Sequence, residues 1–79
     1  MPDYIVNPEN IARIAVQTMY DLSGNFDNME CVMGLCEAMG RIIVQTGKTP
    51  VEMQQMVKVA NDHLISVIKA GCNTKGFTV

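Results

Sequence analysis

Read for apolar and polar positions alone, the chain is dominated by Asn28 to Thr46, NMECVMGLCEAMGRIIVQT. On a helical wheel Val32, Met33, Leu35, Cys36, Met39, Ile42, Ile43 and Val44 spread over more than half the circumference. Glu30, Glu37, Arg41 and Gln45 fall on one narrow polar stripe, which Gly34, Ala38 and Cys31 share. A helix apolar over so much of its girth needs cover from more than one side. It is therefore expected to be the buried central helix of a small bundle.

The flanking segments read as its two neighbours. A first helix is expected from Pro8 to about Leu22, with Ile11, Ile14, Ala15, Thr18, Met19 and Leu22 as its buried stripe. Asn7-Pro8-Glu9 supplies a cap, a proline at the first helical position and an acid in the first turn, and Ser23-Gly24-Asn25 ends it. Asp27 followed by Glu30 has the spacing of a capping box for the central helix. Thr49-Pro50-Val51-Glu52 is the clearest local signal, and the third helix should run from Pro50 to Ala70 with Gly71 as its C-terminal residue. Met53, Met56, Val57, Ala60, Leu64, Val67 and Ile68 form its apolar face; Lys58 and Asp62 are spaced for an i,i+4 ion pair on the wet one. Tyr4-Ile5-Val6 and the tail from Cys72 to Val79 are short β-prone scraps that either pair as a ribbon or fray.

The fold expected is thus all-α: one domain, a three-helix up-down-up bundle around a buried middle helix. Gly34 and Gly40 lie inside that helix, where each costs about 1 kcal/mol relative to Ala. Close approach of a neighbouring helix would offset this, because Cys31, Gly34 and Ala38 make a flat track of small side chains. Two amphipathic neighbours cover so wide an apolar arc with difficulty. A homodimer is therefore expected, with Cys31, Gly34 and Ala38, or the methionine-rich face, near its axis.

Composition sharpens this. Seventy-nine residues sit near the lower limit at which one core suffices without metal, disulfide or partner. Seven methionines against two Phe, two Tyr and no Trp give a core that fills space but specifies it loosely. The net charge of −2 is too mild for a nucleic-acid-binding surface. Its distribution is uneven: residues 1–40 hold six acids against Arg13, and residues 41–79 hold five bases against Glu52 and Asp62. Complementary halves of this kind pack against each other within one chain or between two. The first ten residues lack a basic region and an apolar core, and no apolar run approaches the length of a membrane span. The expectation is a soluble cytoplasmic protein with three reduced thiols.

Little chemistry suggests itself. Gly47-Lys48-Thr49 invites a phosphate-loop reading, but that loop needs a second glycine five residues before the first and a preceding strand; Ile42 stands there, in a helix. Cys31, Cys36, Cys72 and His63 could supply zinc-ligand chemistry, yet Cys31 and Cys36 point in different directions around the helix and no C-x-x-C occurs. His63, at the edge of the apolar face, is expected as a core-boundary residue. No nucleophile–base pair or paired carboxylates can be assembled, so no enzymatic activity, metal or cofactor is expected.

Asp27 to Leu35, DNMECVMGL, resembles the start of the recognition helix of acyl carrier proteins, which are also short, acidic and helical. In that family a serine just ahead of the helix, within Asp-Ser-Leu, carries phosphopantetheine. The matching triplet here is Gly24-Asn25-Phe26, which has no attachment hydroxyl, and the likeness extends to no other part of the chain.

What remains is surface. Tyr20 shares the outer face of the first helix with Arg13 and Gln17, a composition typical of interface hot spots. The function expected is a non-enzymatic protein-binding module, an adaptor or inhibitor docking on a larger complex; a phage or mobile-element product that blocks a host machine would suit this description. Two alternatives stand beside it. One is a carrier of a small molecule or lipid in a methionine-lined cavity. The other is a small helical transcriptional regulator turning at Gly47-Lys48-Thr49, for which the third helix offers Lys58 and Lys69 but no arginine.

Overall fold

Three helices and no strand make up residues 5–76, the part of the chain that this computed structural model describes. They are α1 (Pro8–Leu22), α2 (Asn28–Thr46) and α3 (Pro50–Lys75). The chain divides into two compact units, Met1–Leu35 and Cys36–Val79, with the boundary inside α2. The proposed pairing of Tyr4-Ile5-Val6 with the tail involves Tyr4 and residues 77–79, which lie outside the described residues.

Local chemistry sets each start. Asn7 Oδ1 accepts the Glu9 N–H at 2.9 Å, and Pro8, with no N–H to satisfy, occupies the first helical position. At α2 the Asp27 N–H donates to Glu30 Oε1 at 3.2 Å, one arm of a capping box. At α3 Thr49 Oγ1 accepts from the Glu52 N–H at 3.1 Å. The reciprocal arm is displaced by a residue, because Glu52 Oε2 accepts from the Lys48 N–H at 3.3 Å.

The ends are set as clearly. α1 stops at Ser23, and Gly24 follows with φ +74°, the left-handed backbone that glycine adopts without a steric penalty. Gly47 closes α2: its N–H donates to Ile43 O at 2.8 Å, and a Cβ placed on it would lie 2.5 Å from Met53 Cγ. That close approach admits glycine and crowds anything larger. The third ending corrects the sequence reading. α3 runs through Gly71 to Lys75, where Gly76, at φ +84°, donates its N–H to Asn73 O and Cys72 O. Lys75 in the last turn and a left-handed glycine after it form a better stop than Gly71, which is followed by residues able to continue the helix. Thr74 Oγ1 adds a bond back to Ala70 O at 3.0 Å.

Burial differs most from expectation. None of the described residues is buried, and the expected buried central helix is not found in the single chain. In α1 only Thr18 and Leu22 of the expected stripe are half-buried, while Ile14 and Met19 stand exposed. In α3 the half-buried apolar positions are Met53, Met56 and Ala60, with Cys72 farther on; Val57, Leu64, Val67 and Ile68 are exposed.

Candidate interaction surface

Two open clefts lie in the first unit. The first, of about 440 Å³, sits between the C-terminal turns of α1 and the first turns of α2. Thr18, Asp21, Leu22 and Phe26 line one side, and Glu30, Cys31, Gly34 and Leu35 the other. Asp21 organises its rim: Gln17 Nε2 donates to Asp21 Oδ1 at 3.0 Å, and Asn25 Nδ2 donates to the Asp21 carbonyl at 3.1 Å. The second is an open patch on the surface of α1 alone, past Ala12, Arg13, Ile14, Val16, Gln17 and Thr18. No methionine lines either cleft.

Of the proposed contact residues, Arg13 and Gln17 share the second cleft, while Tyr20 lies outside it and is 79% exposed. Gln17 is also committed to Asp21. Cys31 and Gly34 of the small-residue track line the first cleft, and Ala38 is exposed on the next turn, in the second unit. The reason advanced for the α2 glycines fails inside the chain, since a Cβ on Gly34 or Gly40 would meet nothing within 4 Å.

Phe26 and the bonds around Asp21 were missed from sequence. Their signal is the spacing of Leu22 and Phe26 on either side of Ser23-Gly24-Asn25, which lets two apolar side chains flank a left-handed glycine.

The electrostatics are local. Arg41 pairs with Glu37 at 2.9 Å and Lys58 with Asp62 at 2.8 Å, both i,i+4 on a single helix and both well exposed. The hydrogen bond that Lys58 Nζ donates to Asp62 Oδ2, with the charge of that carboxylate, raises the Lys58 pKa above its ordinary value. Among the described residues no ion pair joins the acidic N-terminal part of the chain to the basic C-terminal part.

The reactive side chains stay apart. Among the described residues no three His, Cys, Asp or Glu side chains come close enough to hold a metal ion. Cys31 and Cys72 are half-buried and Cys36 is exposed, all three as free thiols. His63, expected at a core boundary, is exposed, as are all residues from Asn61 to Gly71. Gly47-Lys48-Thr49 joins two helices, with Gly47 packed against Met53. No described helix is long and apolar enough to cross a membrane.

The dominant feature is therefore uncovered apolar surface. Down one side of α2, Met29, Met33 and Val44 are 65%, 66% and 65% exposed, and Cys36 and Gly40 between them are open as well. No family model, curated protein or solved structure matches this chain.

Proposed function

We propose that the chain is a non-enzymatic protein-binding module, an adaptor or inhibitor whose helices are finished as a bundle, with α2 inside it, only when a protein partner lies against them. The observation that carries this reading is the absence of any buried residue among those described, in a chain that is 48% hydrophobic. Apolar faces of this extent mark interaction sites in functional proteins. Methionine on such a face suits it to partners of imperfect shape, because the unbranched side chain re-packs readily. Tyr20 and Arg13, exposed together on α1, supply polar anchors for a contact of this kind.

The test is the state of the isolated chain at nanomolar concentration. Bright binding of a hydrophobic dye and rapid proteolysis, both suppressed when the partner is restored, are the expected results. A dilute chain that binds no dye and melts cooperatively would overturn the reading, since it would need no cover. Tyr20→Ala and Arg13→Ala then probe the contact face, and unchanged partner recovery would remove them from it.

A further inference from the structure

We infer that the cleft between the end of α1 and the start of α2 receives one turn of a basic amphipathic helix from a partner protein. An aliphatic side chain of that helix would sit on Leu22, Cys31 and Leu35, and its lysine or arginine would face Asp21 and Glu30. The inference rests on the reading of a protein-binding module and gives the chemistry of the segment bound. Every residue that lines the cleft belongs to the first unit.

Charge selects the occupant. Asp21 and Glu30 line the cleft and no basic residue does; among the described residues neither carboxylate has an ion-pair partner. Asp21 also stands in the last turn of α1, at the negative end of the helix dipole, and that turn holds no base to offset it. Arg13 is the only base among the described residues of this unit. It stands eight residues before Asp21, about 12 Å along the axis and beyond the screening length of about 8 Å at physiological salt. Phe26, 59% exposed, adds an aromatic ring, whose face attracts ammonium and guanidinium groups. An acidic segment is repelled here, and a basic one gains charge-assisted contacts.

Shape selects a side chain on a helix over a free small molecule. Sites for small ligands enclose most of the ligand's surface, and this cleft of about 440 Å³ is open on its outer side. Its floor is the half-buried pair Leu22 and Cys31. Gly34, a residue that weakens the helix holding it, forms part of the wall, and a Cβ there would meet no atom within 4 Å. That unfilled space lets another backbone come close. From Glu30 to Leu35 the α2 wall is about 8 Å long, which admits one aliphatic anchor with a base three or four residues away on the same helix face.

Titration of the isotope-labelled full chain with a synthetic helical peptide of leucine and lysine, leucine on one face, tests this. A second peptide has glutamate in place of every lysine. The expected result is saturable amide shift changes at Thr18, Leu22, Phe26, Cys31 and Gly34 with the lysine peptide, and none there with the glutamate peptide. Asp21→Asn with Glu30→Gln keeps the acceptors of the Gln17 and Asp27 bonds while removing charge, and should weaken binding about 10-fold. Gly34→Leu should raise helicity and abolish binding, because its side chain takes the open space. If that variant loses helicity instead, alkylation decides: in Cys36→Ser with Cys72→Ser, the lysine peptide should slow maleimide capture of Cys31 and the glutamate peptide should not. Equal binding of the two peptides, shift changes centred on Met33 and Val44 or on α3, or indifference to the charge-removing pair overturns the inference. If neither peptide binds while the chain takes up hydrophobic dye, the basic segment is overturned and the need for another protein partner stands. A dye-free chain with a cooperative melt overturns both readings.

Discussion

Gly71 and Gly76 allow one substitution to be tried in two backbone conformations a single turn apart. Gly71 lies inside α3, its φ outside the left-handed region, and a Cβ added to it would have no atom within 4 Å. Gly71→Ala therefore meets no steric objection and gains the helix propensity difference, about 1 kcal/mol. Gly76 stands at φ +84° as the cap. Gly76→Ala must enter a left-handed conformation costing roughly 1–2 kcal/mol, offset by about 0.4–1 kcal/mol from a less flexible unfolded chain. The two substitutions should thus act in opposite directions on the last turns of α3, separated by about 2 kcal/mol. Amide hydrogen exchange from Ala70 to Lys75 reads this locally, where an end too near the terminus to move a global melt still reports its own opening. Protection should rise in Gly71→Ala and fall in Gly76→Ala. Should Gly71→Ala instead lose protection, the helix ends at Gly71 and its extension to Lys75 is wrong.

Three further outcomes follow from named contacts. Gly47→Ala drives a Cβ toward Met53 Cγ and to 3.2 Å from Ile43 O, so it should destabilise the α2–α3 turn by about 1–2 kcal/mol in urea melts at fixed concentration; a neutral or stabilising result would mean the turn is not packed this way. Thr49→Ala removes the acceptor of the Glu52 N–H and should cost about 1 kcal/mol, whereas Thr49→Ser should cost much less; equal losses would deny the cap its role. The Lys58 pKa is raised in the folded chain, so its small contribution is present below the unfolded lysine pKa and disappears as pH rises through the folded one. An NMR titration should therefore place the Lys58 midpoint above that of Asp62→Asn, and coincident midpoints would exclude the bond to Asp62.

What the sequence made legible was whatever a few neighbouring residues decide among themselves. Asn7-Pro8-Glu9 and Thr49-Pro50-Val51-Glu52 announce helix starts because the capping atoms lie within three residues of the N–H groups they satisfy. Lys58 and Asp62 meet because four residues make about one turn. The end of α3 was misread where two local signals competed, Gly71 and Gly76, and the turn between them could continue the helix; Thr74 Oγ1 and Lys75 decided for the later stop.

Burial belongs to a different class of question. An apolar arc states that cover is needed, and it is silent on which molecule provides it. Placing α2 in the interior on its periodicity assumes that α1 and α3 cover it. Their half-buried apolar residues, Leu22 on α1 and Met53, Met56 and Ala60 on α3, are too few to do so. Leu64, Val67 and Ile68 of α3 stay exposed, and a Cβ on Gly34 or Gly40 would meet nothing within 4 Å. A periodicity that demands cover is met only where other side chains lie against it. Here the demand is written in the residues from Met29 to Val44, and the exposures of Met29, Met33 and Val44, each near two-thirds, show that it is unmet there.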